Sequence, residues 1–287
     1  MAATDALRDA LALTERWPAG FVAAGVVDAA GARTTTGERA RAVPLASVTK
    51  ALVAVAALVA VEEGSIALDE AVERVPGDGA TSGATVRHLL AHTAGLPFEG
   101  HEPVGRPGAR RVYSNTGFER LAAHVGARTA IPMPAYLREA LFRPLGMGRA
   151  VLEDDASAAK DAVAGLDDIL TVAAELLAPT LIARETLAEA TSVQFPGLAG
   201  VVPGIGRFDP CDWGLGFELR SAKEPHWTPP SASPRTFGHF GGTGTFLWVD
   251  PDAGVACAAL TTTGFGRWAL ADWPAFGDAV LAAVRSS

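Results

Sequence analysis

Eleven consecutive residues, Ala51 to Val61, carry no polar side chain. A helix built from them is apolar on every face and has to be surrounded. The run is far shorter than the roughly 18–20 residues a membrane span needs, so the surroundings must be protein. Directly before it stands Pro44-Leu45-Ala46-Ser47-Val48-Thr49-Lys50. Ser47 and Lys50 are three apart, which on a helix places them on one face about one turn apart. Two readings fit. Ser47 can be an N-cap with Lys50 reaching for water, or it can be a nucleophile beside an amine at the positive end of the helix dipole. Lysine is scarce: Lys50, Lys160 and Lys223 stand among 24 Lys and Arg residues. Arginine serves nearly everywhere else, and only lysine readily loses its proton when desolvated. An unpaired buried charge costs roughly several kcal/mol, so a purely structural lysine here is costly. On this stretch alone both readings stay open.

Composition narrows the classes. A chain of 287 residues with 49% hydrophobic and 20% charged residues is globular, as one large domain or two interleaved lobes. A net charge of −8 without a basic run argues against nucleic-acid or anionic-membrane partners. Cys211 and Cys257 lie in no Cys-x-x-Cys pattern, so neither a disulfide framework nor a zinc site is expected. The first nine residues are acidic early and lack an apolar h-region, which points to a cytoplasmic protein without a secretory leader. His88 and His92 are four apart but lack the glutamate of His-Glu-x-x-His, so no metal is expected. Gly-x-Ser-x-Gly, the P-loop and Gly-x-Gly-x-x-Gly are all missing, and no cofactor is expected.

Along the chain, spacing predicts an amphipathic helix over Thr4–Arg16 and strands at Phe21–Asp28 and Arg33–Thr36. The helix after Ser47 closes at Glu62-Glu63-Gly64, with the glycine at the C-cap. Further helices are expected over Thr85–His92, after Tyr113, over Pro134–Phe142, Asp167–Leu177 and Ala183–Ser192. Val201–Pro210 reads as a loop, Trp213–Leu219 as a strand, and the proline-rich Glu224–Pro234 as an exposed loop. Strands at Thr236–Phe240, Thr245–Val249 and Gly254–Thr261 follow, the last two joined by a turn at Asp250–Ala253. A last helix, Trp268–Val284, is expected to break near Pro274. Strands at both ends around a helical middle imply a sheet lobe closed by the terminal helices, with a helical lobe inserted.

Three motifs occur in order: Ser47-Val48-Thr49-Lys50, Tyr113-Ser114-Asn115, and Gly238-His239-Phe240-Gly241-Gly242-Thr243-Gly244. With His92–Pro97 and Pro144–Met147, this set resembles the serine β-lactamase and penicillin-binding-protein superfamily. The resemblance is greatest to the branch of class C β-lactamases, D-aminopeptidases and family VIII esterases, and runs from about Phe21 to the last helix. It implies an α/β (α+β) fold in which an antiparallel sheet is flanked by terminal helices. The single domain, 1–287, would divide into an α/β lobe of about 1–45 and 205–287 and an all-helical lobe of about 46–204.

The resemblance also implies roles. Ser47 would be acylated, Lys50 would share its proton network, and Tyr113 would be general base or proton relay. Asn115 would hydrogen-bond Lys50 and the acyl side of the substrate, while Ser114 reads as a helix cap. The oxyanion would rest on the N–H groups of Ser47 and Gly242, after His239-Phe240-Gly241. The family's late motif is usually Lys-Thr-Gly or His-Thr-Gly, whose cation and hydroxyl engage a carboxylate. Here Phe240 replaces the hydroxyl, and a histidine is mostly neutral near pH 7. Arg106, Arg110 and Arg111 are the cations that could restore a carboxylate site. The expected activity is hydrolysis of small esters or amides through an acyl-enzyme on Ser47. The alternatives are a β-lactamase or D-stereospecific peptidase, and a penicillin-binding or sensor module without turnover. The expected partner is a small-molecule ester, amide or β-lactam.

Overall fold

Strands from the two ends of the chain meet in one sheet. A computed structural model describes residues 2–72 and 83–286. Helix α1 (Ala2–Ala12) precedes strands β1 (Val22–Asp28) and β2 (Arg33–Thr36). Strand β3 (Val43–Pro44) leads through a 3-10 turn at Ala46–Val48 into α2 (Thr49–Glu62). The middle holds α3 (Val86–Leu90), α4 (Asn115–Thr129), α5 (Met133–Leu137), β4 (Val163–Ala164), α6 (Leu166–Leu177) and α7 (Arg184–Ala190). A hairpin of β5 (Gly200–Val202) and β6 (Gly206–Phe208) follows. Then come β7 (Glu218–Leu219), β8 (Phe237–Gly241), β9 (Thr245–Asp250), β10 (Val255–Thr261) and α8 (Arg267–Arg285).

The main sheet has six antiparallel strands in the order β2-β1-β10-β9-β8-β7, so β10 pairs with β1 and places Cys257 opposite Val26. Strands β9 and β10 are buried on both faces, and side chains alternate between two cores. Leu247, Val249, Ala256, Ala258 and Leu260 join the core around α2 and α6. Phe246, Trp248, Val255 and Cys257 join the core under α1 and α8, with Leu11, Trp273 and Val280. Helix α2 is buried from Thr49 through Ala60, as its all-round apolar surface requires. It ends at a Glu63 cap, so Gly64, at φ +72°, stands one position beyond the cap rather than at it. Among the described residues no helix is long and apolar enough to cross a membrane.

Four segments differ from the sequence reading. The glycine-rich Trp213–Leu219 forms only the two-residue strand β7, and the expected loop at Val201–Pro210 is the β5–β6 hairpin. Helix α8 runs through Pro274 unbroken, because Trp273, Phe276, Val280 and Leu281 anchor both sides of the proline in the core. The segment 224–234 is not simply exposed: His226, Trp227 and Thr228 are buried. Thr228 Oγ1 meets His226 Nδ1 at 2.6 Å. The partner of His226 and Trp227 is Glu218 on β7, whose carboxylate accepts from Lys223 Nζ at 2.7 Å, from His226 Nε2 at 2.9 Å and from Trp227 Nε1. Burial pushes that carboxyl up, but His226 and Lys223 outweigh it and hold it below the ordinary carboxylate range. The middle of the chain adds β4 and β5 to its helices, and β4 pairs with β3 just ahead of Ser47.

Candidate active site

Ser47 sits on the 3-10 turn rather than at the cap of α2; the cap position is Val48, which makes no side-chain cap bond. The turn is docked onto the sheet. Thr243 and Thr245, at the β8–β9 turn, donate to the carbonyls of Pro44 (2.9 Å) and Leu45 (2.8 Å). Leu45 N–H donates to Ala162 O at 2.9 Å. Ala46 adopts φ +46°, a left-handed conformation that costs a side-chain-bearing residue energy. Gly241 explains how β8 comes so near: a Cβ there would lie 2.3 Å from Leu45 O and 2.5 Å from Thr245 Oγ1. Gly242, one residue on, has open space around the equivalent position.

Lys50, the second residue of α2, is fully buried. Its ammonium has three donors, and three acceptors face it: Asn115 Oδ1 at 2.6 Å, Ala159 O at 2.9 Å and Ser47 Oγ at 3.4 Å. All three are neutral. Burial therefore dominates and lowers its pKa to about 7, against the opposing pull of Glu119 and Glu99. Near neutral pH the free amine is therefore an accessible form of Lys50 beside Ser47.

Tyr113 is buried between His92 and Phe98, with ring centroids 4.5 and 6.0 Å away, and meets Trp213 edge-on at 5.8 Å. Burial raises its pKa, partly opposed by a hydrogen bond with Ser47, so it remains a phenol at neutral pH. His239 Nδ1 lies 2.8 Å from the Phe240 carbonyl, which can only accept, so Nδ1 carries the proton. Nε2 is then an acceptor facing the Tyr113 hydroxyl at 3.4 Å. Burial, reinforced by Lys50, pushes His239 down to about 3, so it is a neutral ring rather than a cation. Ser114 caps α4 by accepting from Gly117 N–H, and its own N–H donates to His92 Nδ1 at 3.1 Å. His92 belongs to the aromatic packing around Tyr113.

Ser47, Tyr113, His239 and Gly242 open into a cleft of about 250 Å³. Its walls are mostly apolar, with Phe98, Val202, Trp213, Phe240 and Phe265, and the charged residue among them is Glu218, whose carboxylate is taken up by Lys223 and His226. Phe240 is fixed by Phe265 at 4.7 Å and Trp227 at 5.4 Å. Among the described residues lining the cleft there is no arginine or lysine. Arg111 is buried and spends its guanidinium on the carbonyls of Ala91, Cys211, Gln194 and Phe195, while Arg110 donates to Val104 O. Asn115 and Gly241 stand behind the cleft surface, one against Lys50 and the other against Leu45. Sequence reasoning missed Phe98, Val202, Trp213 and Phe265 as lining residues; only Phe98, directly after the His92–Pro97 motif, offered a signal.

A family model described as beta-lactamase matches residues 17–280. The chain belongs to the beta-lactamase family. Its antiparallel sheet and helical regions are those of the β-lactamase and transpeptidase fold. A beta-lactamase from Mycobacterium bovis is 48% identical, with a TM-score of 0.90 over 96% of this chain and 99% of that one. EstCE1, described as a hydrolase with promiscuous acyltransferase activity, is 18% identical, with a TM-score of 0.78 over 98% of both chains. Penicillin-binding protein 4* of Bacillus subtilis (strain 168) is 26% identical over 129 residues, 36% of this chain and 29% of that protein. The chain therefore covers well under half the length of this curated relative.

Proposed function

We propose that this protein cleaves small neutral esters through an acyl-enzyme on Ser47. One observation carries the substrate choice: the cleft at Ser47 is walled by aromatic and aliphatic side chains and lined by no arginine or lysine. A carboxylate entering it loses hydration and gains few charge-assisted hydrogen bonds in return. An acetyl or butyryl ester has no such group to desolvate. His239 adds to this, since a ring held near pKa 3 offers a lone pair rather than a positive charge.

In the proposed reaction Ser47 Oγ attacks the ester carbonyl, and its proton passes to the neutral amine of Lys50, directly or through Tyr113. The raised pKa of Tyr113 supports a relay in preference to a resident phenolate. The N–H groups of Ser47 and Gly242 hold the developing oxyanion, each such donor being worth roughly 2.7–4 kcal/mol. The proton then goes to the departing alkoxide, leaving the acyl group on Ser47. Water repeats the sequence against the acyl-serine and frees the acid.

A second reading, β-lactam hydrolysis, is favoured by the Mycobacterium bovis relative, which is described as a beta-lactamase. Intact-mass measurement with a fluorophosphonate, p-nitrophenyl esters and nitrocefin, beside Ser47→Ala, separates the readings. We expect one adduct on Ser47, none in Ser47→Ala, and a higher kcat/KM for p-nitrophenyl acetate or butyrate than for nitrocefin. Faster nitrocefin turnover would replace the ester reading with the β-lactam one. A burst of acylation without turnover would make the protein a sensor.

A further inference from the structure

Lys50 is surrounded in two layers. The inner layer is neutral, but each of its two closest acceptors is backed by a carboxylate. Asn115, whose Oδ1 takes the lysine, donates Nδ2 to Glu99 Oε1 at 2.8 Å. Ala159, whose carbonyl takes the lysine, donates its N–H to Glu119 Oε1 at 3.3 Å. Glu99 also receives Lys160 Nζ at 3.1 Å, and both members of that pair are about half exposed. A hydrogen-bonded line thus runs from a fully buried amine, through one amide, to a surface carboxylate.

The amide is the informative part. The ammonium form of Lys50 can only donate and an ionised carboxylate can only accept, so the Asn115 side chain then fits in one orientation. Without the carboxylate, turning the amide over would point its NH2 at Lys50. Asn115 and Lys160 together hold Glu99 below its ordinary carboxyl range, so it is charged throughout the neutral region.

We propose that Glu99 is a positioning residue for Lys50: it locks the Asn115 carbonyl toward the lysine and supplies a negative charge that faces it from the solvent side. The inference rests on the reading of Lys50 as proton acceptor only for its kinetic consequence. The other groups facing Lys50 are Glu119 on α4, Lys160 before β4, Tyr113, His92 and His239. Of these, Glu119 favours the ammonium form and Lys160 opposes it.

The chain has three lysines, so selective 13Cε labelling gives three signals, and the titration of Lys50 can be followed without any assay. Glu99→Gln keeps an acceptor oxygen and removes the charge. It should lower the Lys50 midpoint by on the order of half a pH unit. The acid limb of kcat/KM should move to lower pH by the same amount, with the plateau kcat kept. Glu99→Ala should give a similar midpoint shift together with a severalfold lower plateau, which the Gln variant rescues. Lys160→Met should move the midpoint upward. Thermal melts of all three should match the parent, because the altered side chains are at the surface. A Glu99→Gln midpoint within about a tenth of a unit of the parent, or a Glu99→Ala plateau equal to it, overturns the proposal. If the midpoint moves and the acid limb does not, the role of Glu99 stands and Lys50 is not the proton acceptor.

Discussion

At the scale of single residues, the site depends on a lysine whose burial is unfavourable when it is protonated. Lys50 titrates near 7 in the folded chain and near 10.5 when unfolded. Its folded pKa is the lower one, so between these values the unfolded chain holds the proton more often than the folded one. Stability therefore rises with pH across that window, and below about 7 the full cost is present. Lys50→Met has no such group. The unfolding free energy of the parent, taken relative to Lys50→Met, should increase by roughly 2 kcal/mol between about pH 7.5 and 9.5. Parallel urea titrations at the two pH values measure this, and a constant difference would mean the lysine is not desolvated. The scarcity of lysine and its place ahead of an apolar run made this residue legible from sequence. Glu99 was not legible, because nothing local distinguishes it from any other surface glutamate.

At the scale of elements, the turn that carries Ser47 is shaped by a strand some 200 positions away in the chain. Thr243, Thr245 and Gly241 clamp Pro44 and Leu45. Gly241→Ala would drive a methyl group into the Leu45 carbonyl, which has to move and takes Ser47 with it. We expect a loss of about 1–3 kcal/mol in stability and a large fall in kcat. Gly242→Ala, with open space around it, should melt like the parent. Equal melting temperatures for both variants would contradict the clamp. Elements with a strong local pattern were readable: α2 from its apolar run, β9 and β10 from the apolar runs Phe246–Val249 and Val255–Leu260, and the turn between them from Asp250, which accepts from the N–H groups of Asp252 and Ala253. Misreadings came where distant partners decide. Four prolines made 224–234 look exposed, yet Glu218 draws His226 and Trp227 inward. Pro274 looked like a break, yet the core contacts of α8 outweigh its missing hydrogen bond.

At the scale of the whole molecule, the cleft draws its walls from segments scattered from Ser47 to Phe265. The order of the motifs revealed the fold, but the shape of the cleft exists only after all the segments have met. Trp213 meets Tyr113 and His239 edge-on and lines the cleft beside Ser47. Trp248 and Trp273 lie in the core on the α1 and α8 side of the sheet. That division makes the protein its own optical instrument. Acylation of Ser47 should change the polarity next to the Trp213 indole, which lines the cleft, more than next to those two, which do not line it. Part of the intrinsic fluorescence should therefore change with fluorophosphonate at the rate of adduct formation seen by mass. Trp213→Phe should lose that change while keeping the red shift on unfolding. An undiminished change in the variant would place the reporting indole elsewhere. With Trp213 intact, the turnover of colourless esters could be followed by stopped flow, without a chromogenic leaving group.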